Sequence, residues 1–194
     1  MQVKNKYFLL RHGQTIYQKE NRNLIYLDEE NDKLEITEQG KEKIKQQAER
    51  LKNKNIDLIF SSPYLRTRQT AKIVNKILQK EIIFDNRLVD IKMGEFAGKE
   101  TLVYDSFFID KKLGFTQRPK DGENWNDIIE RVTDFLNDIE TKYQNKNILI
   151  ISHGDPLWII AGILRGLKTL DEFLETRQTK DNNLYLDVGD FIII

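Results

Sequence analysis

Two short apolar runs that each end in a His-Gly pair constrain this chain more than any other feature. Residues 7–10 lead into Arg-His-Gly at 11–13, and residues 148–151 lead into Ser-His-Gly at 152–154. An apolar run of this length, bounded by polar residues, is typical of a buried strand. The chain has only two histidines. Ligands bind at the carboxyl ends of strands in open α/β sheets, so we expect His12 and His153 to face each other across one pocket.

The rest of the chain alternates apolar runs with amphipathic segments. This alternation predicts a three-layer α/β/α sandwich with a mostly parallel central sheet. The length of 194 residues predicts a single domain over 1–194, with a small helical cap around 95–120. Strands are predicted at about 6–10, 56–60, 81–84, 147–151, 184–188 and 191–194, and helices at about 37–54, 64–78, 121–143, from 155 onward and 171–176. The long polar stretch at 14–33 is predicted to be a loop with one short helical piece.

Composition argues against several classes of protein. Lysine plus arginine (31) balance aspartate plus glutamate (31), so no basic field is present to recruit nucleic acid. No apolar stretch approaches the ~20 residues that span a bilayer, and no signal-peptide pattern opens the chain. Cysteine is absent, which fits a cytoplasmic location and excludes thiolate zinc sites. With two histidines we expect no dedicated transition-metal site and no cofactor.

The remaining polar residues at predicted strand ends indicate phosphoryl chemistry. Arg66 lies in the first turn of a predicted helix, where backbone N–H groups favour anions. Together with Arg11 it supplies guanidinium groups, whose paired N–H donors match the oxygens of a phosphate. A neutral imidazole can attack phosphorus, and a carboxylic acid can protonate the leaving oxygen. Asp90 and Glu95, in the loop after the third strand, are the candidate acids.

Five stretches that contain or flank these residues follow one another along the chain. They are Leu-Arg-His-Gly-Gln-Thr at 10–15, Ser-Ser-Pro-Tyr-Leu-Arg-Thr-Arg-Gln-Thr-Ala at 61–71, Arg-Leu through Gly-Glu-Phe-Ala-Gly at 87–98, Gly-Glu-Asn at 122–124 and Ser-His-Gly at 152–154. In residues and in order, this set resembles the motifs of the histidine phosphatase superfamily (branch 1), which has the phosphoglycerate-mutase-like fold. The resemblance implies that His12 is the phosphorylated nucleophile and that Arg11, Arg66 and His153 bind the phosphoryl group. It also implies that the proton donor is the carboxylate in the loop after Arg87.

The sequence departs from the family pattern at the proton donor. Asp90 stands where the family usually has glutamate, which is one methylene longer, and a misplacement of ~1 Å can cost about a hundredfold in rate. Asp90 is therefore the first candidate acid, Glu95 the second and Asp155 the third. On the phosphate side we add Gln18, which stands where the family often has asparagine, and Gly154.

Together these observations predict a metal-independent phosphomonoester hydrolase that acts through a phosphohistidine on a small phosphorylated metabolite. A phosphoglycerate-mutase-type phosphotransferase and a non-catalytic module that binds a phosphorylated ligand are the alternatives. The span 98–122 is short, which predicts a small cap, access for water and hence hydrolysis. The apolar end at 191–194 leaves a homodimer open, with neither nucleic acid nor membrane as partner. Candidates for the pocket mouth are Arg22, Tyr26, Lys92, Tyr104, Arg118 and Lys120.

Overall fold

A mostly parallel sheet lies at the centre of the computed structural model, which describes residues 3–178 and 184–194. Over these residues the strands are β1 (Lys6–Arg11), β2 (Leu58–Ser61), β3 (Ile82–Phe84), β4 (Asn147–Ser152) and β5 (Phe191–Ile193). They lie in the order β3-β2-β4-β1-β5. All neighbouring pairs are parallel except β1 and β5, which are antiparallel. The predicted sheet is confirmed.

Helices cover both faces of this sheet. α2 and α3 pack together on one face, whereas α5 and α6 pack together on the other. The predicted three-layer α/β/α sandwich is therefore confirmed. The helices are α1 (Ile16–Lys19), α2 (Glu38–Leu51), α3 (Leu65–Leu78), α4 (Thr101–Phe107), α5 (Trp125–Lys142), α6 (Gly154–Leu164) and α7 (Leu170–Gln178).

The apolar runs that dominate the sequence are strands buried on both faces. In β1, Phe8 and Leu10 pack toward α2 and α3, while Tyr7 and Leu9 pack toward α5 and α6. β4 alternates in the same way, and all four residues from Ile148 to Ile151 are fully buried. A parallel strand covered on both sides has no polar face, and this is why these segments read as continuous apolar runs.

Local side-chain chemistry explains where the helix that supports the first strand begins. Thr37 is the N-cap of α2, and its hydroxyl accepts a hydrogen bond from the Gly40 N–H at 3.0 Å. Such caps satisfy one of the free N–H groups of the first turn. A Cβ at Gly40 would lie 2.6 Å from the Gln14 carbonyl oxygen. Glycine here lets α2 approach the loop that follows His12.

Two segments differ from the sequence expectation. The strand predicted at 184–188 is wrong, since this segment is irregular. Its backbone is bonded elsewhere, because Leu184 N–H donates to the Thr176 carbonyl at 2.8 Å and the Leu186 carbonyl accepts from Arg11. In the loop at 14–33 the sequence predicts one short helical piece, whereas the structure has two, α1 and a 3₁₀ turn at Asp28–Glu30.

The segment predicted as a helical cap contains α4 and a 3₁₀ turn at Lys111–Phe115. Its aromatic side chains pack mainly on one another, with Phe96 5.5 Å from Tyr104 and 5.1 Å from Phe107 between ring centroids. In the described part of the chain, the helices are too short or too polar to cross a membrane.

Candidate active site

The candidate site lies where the four parallel strands end. β1 ends at Arg11 directly beside Ser152 of β4, so His12 and His153 follow neighbouring strands. Ser62 and α3, with Arg66, follow β2 on the other side of β4. Asp90 follows β3 after one 3₁₀ turn. The topology therefore brings the predicted residues to one edge of the sheet, the position at which ligands bind in open α/β folds.

The two imidazole rings lie close together beneath this edge. Their centroids are 5.3 Å apart, and each ring is 1% exposed or less. Nδ1 of His12 lies 2.9 Å from the Gly13 carbonyl oxygen. A carbonyl can only accept, so Nδ1 carries the proton and Nε2 keeps its lone pair. Burial, followed by the charges of Arg66 and Arg11, holds the pKa of His12 well below its usual value. The imidazole is thus neutral at neutral pH.

His153 is oriented by a serine that the sequence reading missed. Its Nε2 lies 2.9 Å from Ser62 Oγ, which also accepts the Tyr64 N–H at 3.4 Å. We assign the Ser62 hydroxyl proton to Nε2, which leaves the ring proton on Nδ1. Nδ1 lies 3.5 Å from an oxygen of Asp90 and has no hydrogen-bond partner among the described residues. Burial, more than the charge of Arg66, lowers the pKa of His153.

Arg66 is fully buried, and its guanidinium contacts two polar partners and two aromatic rings. Its Nη1 donates to Asn31 Oδ1 at 3.1 Å and its Nη2 to Asp90 Oδ2 at 3.2 Å. The rings of Tyr26 and Tyr64 lie 4.7 and 5.1 Å from its guanidinium carbon. These contacts restrain the guanidinium, and a restrained guanidinium suits the bidentate recognition of phosphate.

Arg11 is positioned by the irregular segment that replaces the expected strand. Its Nη1 donates to the Leu186 carbonyl at 2.8 Å, and its guanidinium lies 5.2 Å from the Tyr185 ring centroid. Gly154 makes room for this arrangement. A Cβ there would lie 2.3 Å from the Tyr185 hydroxyl and 3.2 Å from the guanidinium carbon of Arg11.

Unsatisfied polar atoms converge on this site. Among the described residues, the buried side-chain nitrogens without a hydrogen-bond partner are Arg11 Nε, Arg66 Nε, His12 Nε2 and His153 Nδ1. Leaving a buried polar group unpaired costs about 1–3 kcal/mol, and such atoms call for a functional explanation. Three are donors under our tautomer assignment and one is a lone pair. A tetrahedral oxyanion fits this set, with the donors on its oxygens and the lone pair toward its central atom.

A cavity of about 370 Å³ opens above these atoms. Arg11, Arg66, Asp90 and Gly154 line it, and the two buried histidines adjoin these residues, with His153 Nδ1 3.5 Å from Asp90. Of the mouth candidates, the described wall includes Arg22, Tyr26 and Lys92. Tyr104, Arg118 and Lys120 lie elsewhere: Tyr104 packs on Phe108 in the cap, and Arg118 pairs with Asp127.

The structure separates the three candidate acids by their partners. Asp90 faces the cavity with 23% of its side chain exposed, and burial raises its pKa despite the opposing charge of Arg66. Glu95 lies outside the cavity and accepts the Lys120 N–H at 3.1 Å. Asp155 reaches the cavity wall, but its carboxylate pairs with Arg177 and accepts from Trp125 Nε1. Asp90 is thus the one of the three that contacts Arg66 and lies beside His153.

Gln18 lies in the cavity wall with both ends of its amide engaged. Its Oε1 accepts the Thr15 N–H at 2.9 Å, and its Nε2 donates to the Tyr26 hydroxyl. In this structure it supports Tyr26, which in turn covers Arg66. Its contact with a phosphate stays a prediction.

Sequence reasoning also missed Asn31 and Thr70. Thr70 donates to the Arg66 carbonyl at 2.7 Å and accepts the Gly13 N–H at 3.0 Å, so it joins α3 to the loop after His12. Neither residue carries a local signal of this role. Thr70 lies on a helical segment rich in polar residues, and Asn31 lies in a polar loop.

Comparison with known proteins identifies the family and fold of this chain. Residues 7–183 match the model of the histidine phosphatase superfamily (branch 1). The chain is 30% identical over 168 residues to a probable phosphoglycerate mutase GpmB of Escherichia coli O1:K1 / APEC, covering 82% of this chain and 74% of that one. It is 27% identical over 165 residues to a putative phosphoserine phosphatase 2 of Hydrogenobacter thermophilus, covering 82% and 78%. The solved structure of Bacillus stearothermophilus YhfR shares the fold, with a TM-score of 0.79, 23% identity and coverage of 98% and 90%.

Proposed function

The chain belongs to branch 1 of the histidine phosphatase superfamily and is an enzyme of the phosphatase or phosphotransferase type; from this premise we propose that it is a metal-independent phosphomonoester hydrolase. In this proposal a phosphohistidine forms at His12, and the substrate is a small phosphorylated metabolite. The observation that carries the proposal is the free lone pair on Nε2 of His12. This nitrogen is buried and unpartnered among the described residues, and its lone pair is left free by the bond from Nδ1 to Gly13.

In the first step, His12 Nε2 forms a bond to phosphorus as the bond to the ester oxygen breaks. The Asp90 carboxyl gives its proton to the leaving oxygen. Arg11, Arg66 and the Nδ1–H of His153 stabilise the charge on the equatorial oxygens. Arg66 now bonds Asp90 at 3.2 Å, so the phosphoryl oxygens compete with the carboxylate for this guanidinium.

In the second step, water attacks the phosphohistidine. Asp90, now a carboxylate, takes a proton from the water as the new P–O bond forms and the P–N bond to His12 breaks. Inorganic phosphate leaves, and both His12 and the Asp90 carboxyl regain their starting states. The raised pKa of Asp90 supports this role, because a general acid must hold its proton close to the working pH.

Hydrolysis is favoured over transfer by the size of the covering segment. α4 is seven residues long, and Thr101 is the one described residue of this helix that lines the cavity. The similarity to a probable phosphoglycerate mutase makes phosphotransfer the second candidate. The prediction of a homodimer stays a prediction.

The test is hydrolysis of 4-nitrophenyl phosphate in the presence of a chelator, with wild type and His12→Ala compared. We expect chelator-resistant turnover that His12→Ala abolishes, together with an acid-labile, base-stable phosphoenzyme in rapidly quenched wild type. Turnover that needs added metal, or that survives in His12→Ala, would overturn the proposal. Adding 3-phosphoglycerate or glycerol as acceptor distinguishes the second candidate, since a mutase transfers the phosphoryl group to the acceptor in preference to water.

A further inference from the structure

An arginine and a glutamate that lie outside the cavity bind the main chain of the loop that carries Asp90. We infer that Arg131, held by Glu123, positions Asp90 for proton transfer. This inference rests on the proposed function, in which Asp90 is the acid. Neither Arg131 nor Glu123 lies in the described wall of the cavity. Both are therefore positioning residues, which act through Asp90 without touching substrate.

Arg131 bonds the loop on the amino-terminal side of Asp90 and at Asp90 itself. Its Nη1 donates to the Arg87 carbonyl at 2.6 Å, and its Nη2 lies 3.4 Å from the Asp90 carbonyl oxygen. It projects from the middle of α5, and 15% of its side chain is exposed. Because Arg131 contacts main-chain oxygens, it controls where the Asp90 backbone lies whatever the side-chain rotamer.

Glu123 completes the clamp on the carboxyl-terminal side. Its carboxylate accepts from Arg131 Nε at 3.2 Å and from the Lys92 N–H at 3.0 Å. Its own N–H donates to the Lys92 carbonyl at 2.8 Å. Close approach of the two loops depends on Gly94, where φ is +53° and a Cβ would lie 2.1 Å from the Lys120 carbonyl oxygen. Asp90 is thus bracketed by main-chain bonds on both sides.

The side chain of Asp90 explains why such a clamp matters. Its Oδ1 accepts the N–H of the neighbouring Ile91, while Oδ2 lies 3.2 Å from Arg66 Nη2 and 3.5 Å from His153 Nδ1. Aspartate has two side-chain torsions, so it has little reach with which to correct a displaced backbone. Any movement of the loop therefore moves the carboxyl by a similar distance from the leaving oxygen, and ~1 Å can cost about a hundredfold.

A positioning role for the acid predicts a dependence on the leaving group. An alkyl alkoxide must be protonated as it departs, whereas 4-nitrophenolate leaves readily without a proton. kcat/KM is the parameter to compare, because it reports steps through the first irreversible one and excludes hydrolysis of the phosphoenzyme. Arg131→Lys keeps the charge but lacks the fork that reaches two carbonyls. Glu123→Gln keeps an acceptor for Lys92 but weakens the hold on Arg131.

The experiment measures kcat/KM for 2-phenylethyl phosphate and for 4-nitrophenyl phosphate in wild type, Asp90→Asn, Arg131→Lys and Glu123→Gln. We expect Arg131→Lys and Glu123→Gln to lower kcat/KM on the order of tenfold to a hundredfold for the alkyl ester and less than about threefold for the aryl ester. Arg50→Lys is the control, because Arg50 lies in α2, on the opposite face of the sheet from α5, where it bonds Gln47 and lies 5.0 Å from the Phe191 ring centroid. Urea unfolding of each variant verifies folding.

The outcomes separate the inference from the proposed function. If Asp90→Asn lowers kcat/KM by the same factor for both esters, the assignment of Asp90 as the acid in the proposed function fails. A second outcome is that Asp90→Asn lowers kcat/KM selectively for the alkyl ester, whereas Arg131→Lys and Glu123→Gln lower kcat/KM equally for both esters or leave both unchanged. In that case the inference is overturned and the proposed function stands. A selective loss of kcat/KM for the alkyl ester in all three variants supports the inference. In the Asp90→Asn background, the Arg131→Lys substitution should then cause almost no further loss of kcat/KM.

Discussion

Ser62 Oγ lies 2.9 Å from Nε2 of His153, although 91 positions separate the two residues in the chain. Both are fully buried, so water cannot replace this bond. It decides which ring nitrogen carries the proton, and so whether His153 presents a donor or a lone pair to the bound anion. The bond joins the end of β2 to the end of β4, two neighbouring strands of the sheet.

Removing this hydroxyl should impair catalysis more than folding. In Ser62→Ala the His153 ring loses the partner that selects its tautomer and orientation, and we expect kcat to fall on the order of tenfold to a hundredfold. Ser61→Ala is a matched control, because Ser61 is equally buried but donates to the Ser62 carbonyl. Steady-state kinetics of the pair check this. Equal losses in the two variants would contradict it.

Arg66 should not tolerate replacement by lysine. Lysine keeps one positive charge but loses the guanidinium contacts with Tyr26 and Tyr64 and the paired N–H donors that suit a phosphoryl group. We expect Arg66→Lys to lower kcat/KM on the order of a hundredfold to a thousandfold and to weaken inhibition by vanadate. Arg68→Lys, at an exposed position 3.5 Å from Asp32, should match wild type. The prediction is wrong if both variants retain vanadate inhibition equal to that of wild type.

Gly154 should be intolerant of even one methyl group. In Gly154→Ala the new Cβ would collide with the Tyr185 hydroxyl at 2.3 Å and crowd the Arg11 guanidinium at 3.2 Å. Displacing Arg11 should raise KM and lower kcat together. Gly166→Ala provides the contrast, because a Cβ there meets open space while φ is +79°. That variant should lose stability, by about 1–2 kcal/mol, and keep its activity. Kinetics and thermal unfolding of both variants distinguish the two effects.

Stability should fall as the pH drops below the ordinary histidine range. Burial lowers the pKa of both His12 and His153, so the folded protein leaves them neutral while the unfolded chain protonates them below about pH 6.5. Unfolding then takes up protons, and each histidine lowers the free energy of unfolding by about 1.4 kcal/mol per pH unit. Urea unfolding between pH 7.5 and 5.5 measures this slope. His153→Gln should reduce this slope by the contribution of one histidine. An unchanged slope would refute the assignment of a neutral His153.

The sequence alone determined the strands that carry the two histidines and the helices that cover them. Burial on both faces of β1 and β4 is recorded in the local run of apolar residues, and the amphipathic pattern of α2, α3 and α5 is equally local. The resemblance in the motifs around His12, Arg66 and His153 then identified the family. These predictions succeed because each depends on residues within a few positions of one another.

The way in which those residues are held depends on contacts between distant parts of the chain. Asp90 differs from Glu95 because of its contact with Arg66, 24 positions away, and the bond of Ser62 to His153 has no trace in the serine's own neighbourhood. The expected strand at 184–188 failed for the same reason. Its composition suits a strand, but its main-chain groups bond Thr176 and Arg11 instead of a neighbouring strand. Local sequence sets burial and helical period, whereas hydrogen-bond partners and pKa shifts depend on which distant residues the packed layers bring within about 3 Å.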